Sequence, residues 1–443
     1  MILRRIIVII CALYPTLSFS QWDVKKAMES GMSAMDNHDY MTSIAFFTRV
    51  INARPNNHKA FYFRGKAKYQ LGDYAGCEAD ETEAISLNPY YYDAYELRAF
   101  SREEIGKYIL ASEDFSIAVA NSYNRFDLAE HQALCNLNGG NYQAADSLAE
   151  KLLKWKSSNA NLYIVRAKAQ YGLADYLASE SYVDQALSLE PYLHEALTIK
   201  ALYLMKAHDW KKAAAYYSKA LYVNPKNSSN IANRGLCMAM SGDKESAISD
   251  FNLLMDVSPD NWIANKALRC DSHKDWENLT DSVLRKNELN IIHRDDSQPH
   301  KEKACEIAKD YEFTSPQYIS DYQNDAYKSD TQFKSAYQLL LSRKYNDAIE
   351  GFSQIIQINN LIPEAYFNRA YAYIRAQQYQ KACEDLTKAT DLRENYAEAY
   401  YNRGLVKLFM NDPYGANMDF SLAGQYGISY AYKLIARIKN TYF

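Results

Sequence analysis

Small, aromatic and apolar residues recur along this chain every 34 residues. With the phase fixed on Tyr400, units fall at 24–57, 58–91, 92–125, 126–159, 160–193, 194–227 and 228–261, and again at 329–362, 363–396 and 397–430. Neither block needs an insertion or a deletion. The eighth position is always Gly or Ala: Gly31, Gly65, Ala99, Ala133, Ala167, Ala201, Gly235, Ala336, Ala370 and Gly404. The twentieth is always small, from Ser43 and Cys77 to Ala382 and Ala416. The seventeenth is aromatic from Tyr40 to Trp210 and again at Tyr345 and Tyr379. Pro stands at the thirty-second in Pro55, Pro89, Pro191, Pro225 and Pro259.

This spacing predicts two helices per unit. Positions 4, 8 and 11 share one helical face, as do 20, 24 and 27. Small residues at 8 and 20 let the two helices approach closely. The aromatic at 17 starts the second helix and fills the gap. A turn such as Leu71-Gly72-Asp73-Tyr74 ends the first helix at Gly, and Pro at 32 stops the second.

The pattern resembles the tetratricopeptide repeat, a 34-residue helix–turn–helix with small residues at 8, 20 and 27, an aromatic at 17 and Pro at 32. The resemblance implies an all-α fold: an α-solenoid, wound as a right-handed superhelix, of ten units in two arrays, 24–261 and 329–430, with a capping helix. Lys244 and Pro413 depart from it at position 17 and Glu81 at position 24, where single interfaces are expected to suffer.

Position 7 carries Arg64, Arg98, Arg166, Arg234, Arg369 and Arg403, and position 23 carries Asp80, Asp114, Asp250, Asp385 and Asp419. Each Asp shares a unit with an Arg; Arg166 has no such Asp. The co-occurrence points to ion pairs joining the two helices of a unit. An anionic-ligand site is the weaker reading, because buried charges are normally paired within the protein.

Outside the units, 262–287 reads as a shortened, degenerate repeat closing the first array, since end repeats must cap an apolar face. Residues 288–328 read as a linker. Its 288–315 portion is polar, contains Pro299 and has no period, which suggests a loop or disorder, with a helix resuming after Pro316. Ile428, Tyr432, Ile435 and Ile438 share one helical side, which makes the end of the chain, 431–443, a capping helix and tail.

The first 20 residues have the form of a signal peptide: Arg4 and Arg5, an apolar run from Ile6 to Leu13, then Ser18-Phe19-Ser20. The run is too short to cross a bilayer, and no later stretch is apolar enough. Export to periplasm or medium is therefore expected, with no transmembrane segment in the mature chain. With Lys+Arg at 50 and Asp+Glu at 54, the charge of −4 gives no reason to expect nucleic acid.

No HExxH, P-loop, GxSxG or CxxC motif is present. Cys270, His273, His293, His300 and Cys305 gather in one region, but only Cys270-x-x-His273 has familiar zinc spacing. A Cys270–Cys305 disulfide and plain unpaired residues are the other readings, and unpaired residues are preferred. Cys77, Cys135 and Cys237 stand where units want small apolar groups. We expect no enzyme, cofactor or metal.

Function must then lie on a surface. The family lines its concave face with positions 2, 5, 9 and 12 of the first helix, which here gives Phe333, Phe367 and Tyr401, then Tyr337 and Tyr371, then Leu340, Ile374 and Leu408. Tyr62, Tyr69 and Tyr171 add aromatic surface in the first array. Such residues suit a ligand groove, but packing between repeats is the preferred reading for any one of them. Asn233, Asn368 and Asn402 occupy position 6, but no unit supplies the Lys-and-Asn pair that the family's two-carboxylate clamp needs. The expected function is a non-enzymatic scaffold binding a peptide or protein partner. An envelope glycan-binding module using Tyr-rich faces, or a structural spacer, are the alternatives.

Overall fold

The computed structural model describes residues 21–122, 124–270, 272–290, 304–317 and 331–442. Residues 1–20, read above as a signal peptide, lie outside them, as do His293 and His300. The described residues form helices and no strand.

The helices alternate as the period requires. In the first array the pairs are α1 (Gln21–Asp36) and α2 (Tyr40–Ala53), α3 (His58–Gln70) and α4 (Tyr74–Leu87), α5 (Tyr92–Glu104) and α6 (Tyr108–Ala120), α7 (Phe126–Asn138) and α8 (Tyr142–Trp155). They continue as α9 (Ala160–Gly172) and α10 (Tyr176–Leu189), α11 (His194–Lys206) and α12 (Trp210–Val223), α13 (Ser228–Met240) and α14 (Lys244–Val257). Then come α15 (Trp262–Ala267), α16 (His273–Asn290) and α17 (Ala304–Lys309). The second array holds α18 (Thr331–Leu341) and α19 (Tyr345–Ile358), α20 (Pro363–Arg375) and α21 (Tyr379–Leu392), α22 (Ala397–Phe409) and α23 (Pro413–Gln425). Helix α24 (Ala431–Tyr442) ends the chain. The fold is an all-α solenoid of stacked helix pairs.

Local chemistry explains each pair. A Cβ on Gly31, Gly235 or Gly404 would lie 2.7, 2.9 or 2.6 Å from the ring of Phe47, Phe251 or Phe420. Glycine at position 8 thus makes room for a buried aromatic at position 24. The turn between helices is left-handed at position 15 in every unit: His38, Gly72, Gly106, Gly140, Ala174, His208, Gly242, Arg343, Gln377 and Asn411 all have positive φ. Glycine adopts that conformation without a Cβ penalty, yet six units use another residue. The next residue often caps the second helix: Asp39, Asp73, Asp175, Asp209, Asp243 and Asp412 each accept a hydrogen bond from the backbone N–H three residues on.

Glu81, at position 24 of its unit, is fully buried, and neither carboxylate oxygen has a hydrogen-bond partner among the described residues. Burial raises its carboxyl well above the ordinary glutamate range.

The chain divides into two compact units, Met1–Gly106 with Lys301–Phe443, and Lys107–His300. The division therefore falls inside the first array rather than between the arrays. In the second unit, the shortened repeat covers the last full pair: Trp276 stacks on Phe251 at 5.5 Å, and Leu279 and Val283 are buried in the same core.

In the first unit, the last repeat lies against the first two. Helix α23 packs on α4 and α2. Lys68 Nζ donates to Gln425 Oε1 at 2.9 Å, and Lys439 Nζ to the Tyr74 hydroxyl at 2.5 Å. Ile44 and Ala67 share one core with Leu434, Ile435 and Ile438. The helix at the end of the chain thus covers apolar surface of both arrays. Repeats of both arrays are thus packed in one compact unit.

Candidate functional site

The arginines at position 7 form a three-way clasp. Arg64 gives Nε and an Nη to the two carboxylate oxygens of Asp80, at 2.9 and 2.6 Å. Arg234 holds Asp250 at 2.9 and 2.6 Å, Arg369 holds Asp385 at 2.8 and 2.7 Å, and Arg403 holds Asp419 at 2.9 and 2.7 Å. The other Nη reaches back to the preceding repeat: Arg64 to Thr48, Arg98 to Thr82, Arg234 to Ser218, Arg369 to Ser353 and Arg403 to Thr387. All five partners occupy position 25. Sequence reasoning paired the Arg with Asp and missed the hydroxyl, although the regular Ser or Thr there was a readable signal. The clasp fastens the two helices of a repeat and fastens that repeat to the one before.

Bidentate Arg–carboxylate geometry is among the stronger charge-assisted arrangements. Burial alone would raise the Asp80 carboxyl; Arg64 and Lys68 outweigh it and hold the group below its ordinary value. Lys407 adds a second cation to Asp419 at 2.8 Å. Arg166, which has no Asp at 23, takes Asp146 of the preceding repeat at 2.8 Å. Each of the four bidentate arginines already commits at least three of its five N–H donors within the protein.

The aromatic residues at position 5 lie under other groups. Phe333 meets Phe352 edge-on at 5.4 Å, Phe367 stacks on Tyr396 at 5.0 Å, and Tyr401 lies beside Phe420 and Tyr430 at 5.7 and 5.1 Å. All three are buried. Tyr371 is half-buried against the core of its neighbours. Tyr62 packs edge-on against Tyr91, Tyr69 against Tyr74, and Tyr171 against Tyr176, each at 5.0 Å. Lys206 Nζ also donates to the Tyr171 hydroxyl at 2.9 Å.

What lies over the second array comes from the chain itself. Residues 304–317, read from sequence as part of a loop or linker, form α17 and an extended stretch seated on the first helices of the array. Ala304, Ile307 and Ala308 are buried in the core that holds Tyr401, Leu405 and Leu408. Asp310 pairs with Arg437 at 2.8 Å. Phe313 stacks on Phe409 at 6.1 Å, and Phe409 stacks in turn on Tyr379 at 4.8 Å.

The stretch that follows is held by its main chain. Asn402 Oδ1 accepts from Thr314 N–H at 2.8 Å. Asn368 makes two bonds to one residue: its Oδ1 accepts from Gln317 N–H at 2.9 Å and its Nδ2 donates to Gln317 C=O at 2.7 Å. The Tyr337 hydroxyl donates to Pro316 C=O at 3.3 Å, and the Tyr396 hydroxyl to the Gln317 side-chain oxygen at 3.1 Å. One repeat step, from Asn402 to Asn368, thus corresponds to three residues of the segment, Thr314 to Gln317.

Asn368 and Asn402 are both buried. Sequence reasoning saw them only as part of a clamp that lacked its other members. It missed their ability to read a peptide backbone because that role needs no charged partner nearby. The described cysteines are free thiols, and no cluster able to hold a metal ion occurs among the described residues.

The family model for the tetratricopeptide repeat matches residues 363–396, the same bounds that the 34-residue phase assigns to that unit. No curated protein matches the chain. Among solved structures, it is similar to the C-terminal part of a TPR repeat-containing protein from Cytophaga hutchinsonii, at 19% identity over 55% of this chain and 100% of that one, with a TM-score of 0.44. A tetratricopeptide repeat protein from Parabacteroides merdae matches at 17% identity over 58% of this chain and 98% of that one, with a TM-score of 0.43. YrrB, described as a TPR protein with an unusual peptide-binding site, matches at 15% identity over 51% and 98%, with a TM-score of 0.28.

Proposed function

We propose that the chain, one repeat of which matches the tetratricopeptide-repeat family model, is a non-enzymatic scaffold whose second array binds an extended peptide of a partner protein. One observation carries this reading: Asn368, Asn402 and Tyr337 grip the main chain of an extended segment rather than its side chains. Main-chain recognition accepts many sequences, as in other modes that bind extended peptides. The buried aromatic floor beside it supplies area at low entropic cost. The pattern of residues 1–20 supports export, so the partner is sought in the cell envelope or the medium.

The test is a library of extended peptides screened at high concentration against the full chain and against an Asn368→Ala/Asn402→Ala variant with unchanged helical signal. Peptides that bind the first and lose at least tenfold in affinity on the second support the reading. Binding that ignores both asparagines, or no binding at all, overturns it.

A further inference from the structure

We propose that residues 311–317 are a replaceable blocking segment: the chain fills its own groove, and a partner peptide must displace this segment to bind. The inference rests on the peptide-binding reading above and adds its regulation.

Three observations carry it. First, the segment has two halves of different character. Helix α17 is anchored by Ile307 and Ala308, at 0% and 1% exposure, whereas none of residues 311–317 is buried. The groove residues beneath are: Asn368, Phe367, Tyr396, Tyr401 and Asn402 are all at 1% or less. Residues 311–317 therefore lie on the groove as a ligand does, while the helix before them is part of the core.

Second, the contacts that hold this stretch go chiefly to main-chain atoms. The N–H of Thr314, the C=O of Pro316 and both groups of Gln317 are what any extended peptide offers.

Third, the fit is incomplete. Asn368 satisfies both ends of its amide on Gln317, but Asn402 uses only its oxygen, and its buried Nδ2 has no partner among the described residues. The buried Thr314 hydroxyl has none among the described residues either. Leaving such groups unpaired is costly. A peptide that offers Asn402 a carbonyl, as Gln317 does for Asn368, would be the better ligand.

The displacing partner is thus an extended peptide with an aromatic residue to stack on Phe409. It needs an amide N–H one residue later for Asn402, and both backbone groups three residues further on for Asn368. Tethering by α17 keeps the segment at high effective concentration. Apparent affinity for a competitor falls by the fraction of time the groove is open.

The experiment measures binding of a labelled synthetic peptide, Tyr311 to Gln317, to the full chain and to a Phe313→Ala/Thr314→Pro variant. The variant loses the aromatic stack and one gripped N–H. We expect at least tenfold tighter binding to the variant, abolished by adding Asn368→Ala. Equal binding to both chains would overturn the block and leave the groove reading standing. No binding to either, with helical signal intact, would overturn both. A second measurement needs no variant: hydrogen exchange at Thr314 and Gln317 is expected at least a hundredfold faster than in the middle of α20. Equal protection would make the segment a permanent part of the fold and overturn the proposal.

Discussion

Residues 228–261 and residues 363–430 were built from the same parts, and one of those parts does different work in each. The clasp is the same: Arg234 holds Asp250 as Arg369 holds Asp385 and Arg403 holds Asp419, with a hydroxyl of the preceding repeat as the third point. Position 6 is Asn in all three repeats. In the first region Asn233 is hydrogen-bonded to the buried Tyr217 hydroxyl of the preceding repeat. In the second, Asn368 and Asn402 hold an extended segment. The clasp faces the inside of the helix stack, where its partners recur with every repeat. At position 6, by contrast, one residue type is structural in one place and a recognition group in another.

The largest expected effect tests the shared part. Asp419→Ala leaves Arg403 and Lys407 without their carboxylate, and Asp250→Ala leaves Arg234. Removing one partner of a buried pair costs about 3–5 kcal/mol. Urea unfolding followed by helical signal should show a loss near the top of that range for Asp419→Ala and near the bottom for Asp250→Ala. Losses below about 1 kcal/mol in both would mean that the clasp is not what fastens the repeats.

The second test targets the difference. Asn233→Ala removes a partner of the fully buried Tyr217 hydroxyl, and should cost about 1–2 kcal/mol of stability. Asn368→Ala should cost less than about 1 kcal/mol, since the backbone it frees can reach water, but should speed hydrogen exchange at Gln317 at least tenfold. If the two substitutions destabilise equally and Gln317 exchange is unchanged, the contrast between the regions disappears.

The smallest effect concerns the turn. Gly242 and Gln377 occupy the same left-handed position, with φ of 92° and 57°. A residue with a Cβ pays about 1 kcal/mol there. Gln377→Gly should therefore stabilise by about that amount and Gly242→Gln destabilise by a similar one, read as opposite shifts of the thermal midpoint. Shifts of the same sign would show that side-chain contacts, not backbone conformation, dominate at this turn.

Much of this was legible from the residues. The repeat bounds, the Gly and Ala at the closest approach of the helices, and the Arg–Asp co-occurrence could all be read in sequence, because each involves partners at fixed short offsets. Glu81 was legible as a misfit at position 24. The Ser or Thr at position 25 was equally periodic but is noticed only once the reach of the Arg is known. The segment at 304–317 was read as linker because its polar residues and lack of period look the same whether the chain is loose or laid in a groove.

The sequence alone determined the repeat architecture. In a solenoid each unit packs on its nearest neighbours, so the packing rules are written again every 34 residues. Only the tertiary structure decided what lies over the second array and which repeats share a compact unit. Thr314 meets Asn402 across 88 residues and Gln317 meets Asn368 across 51. On the segment's side those bonds use backbone atoms that every residue carries. A contact made by the main chain leaves no mark on side-chain identity, and so no pattern from which it could be read.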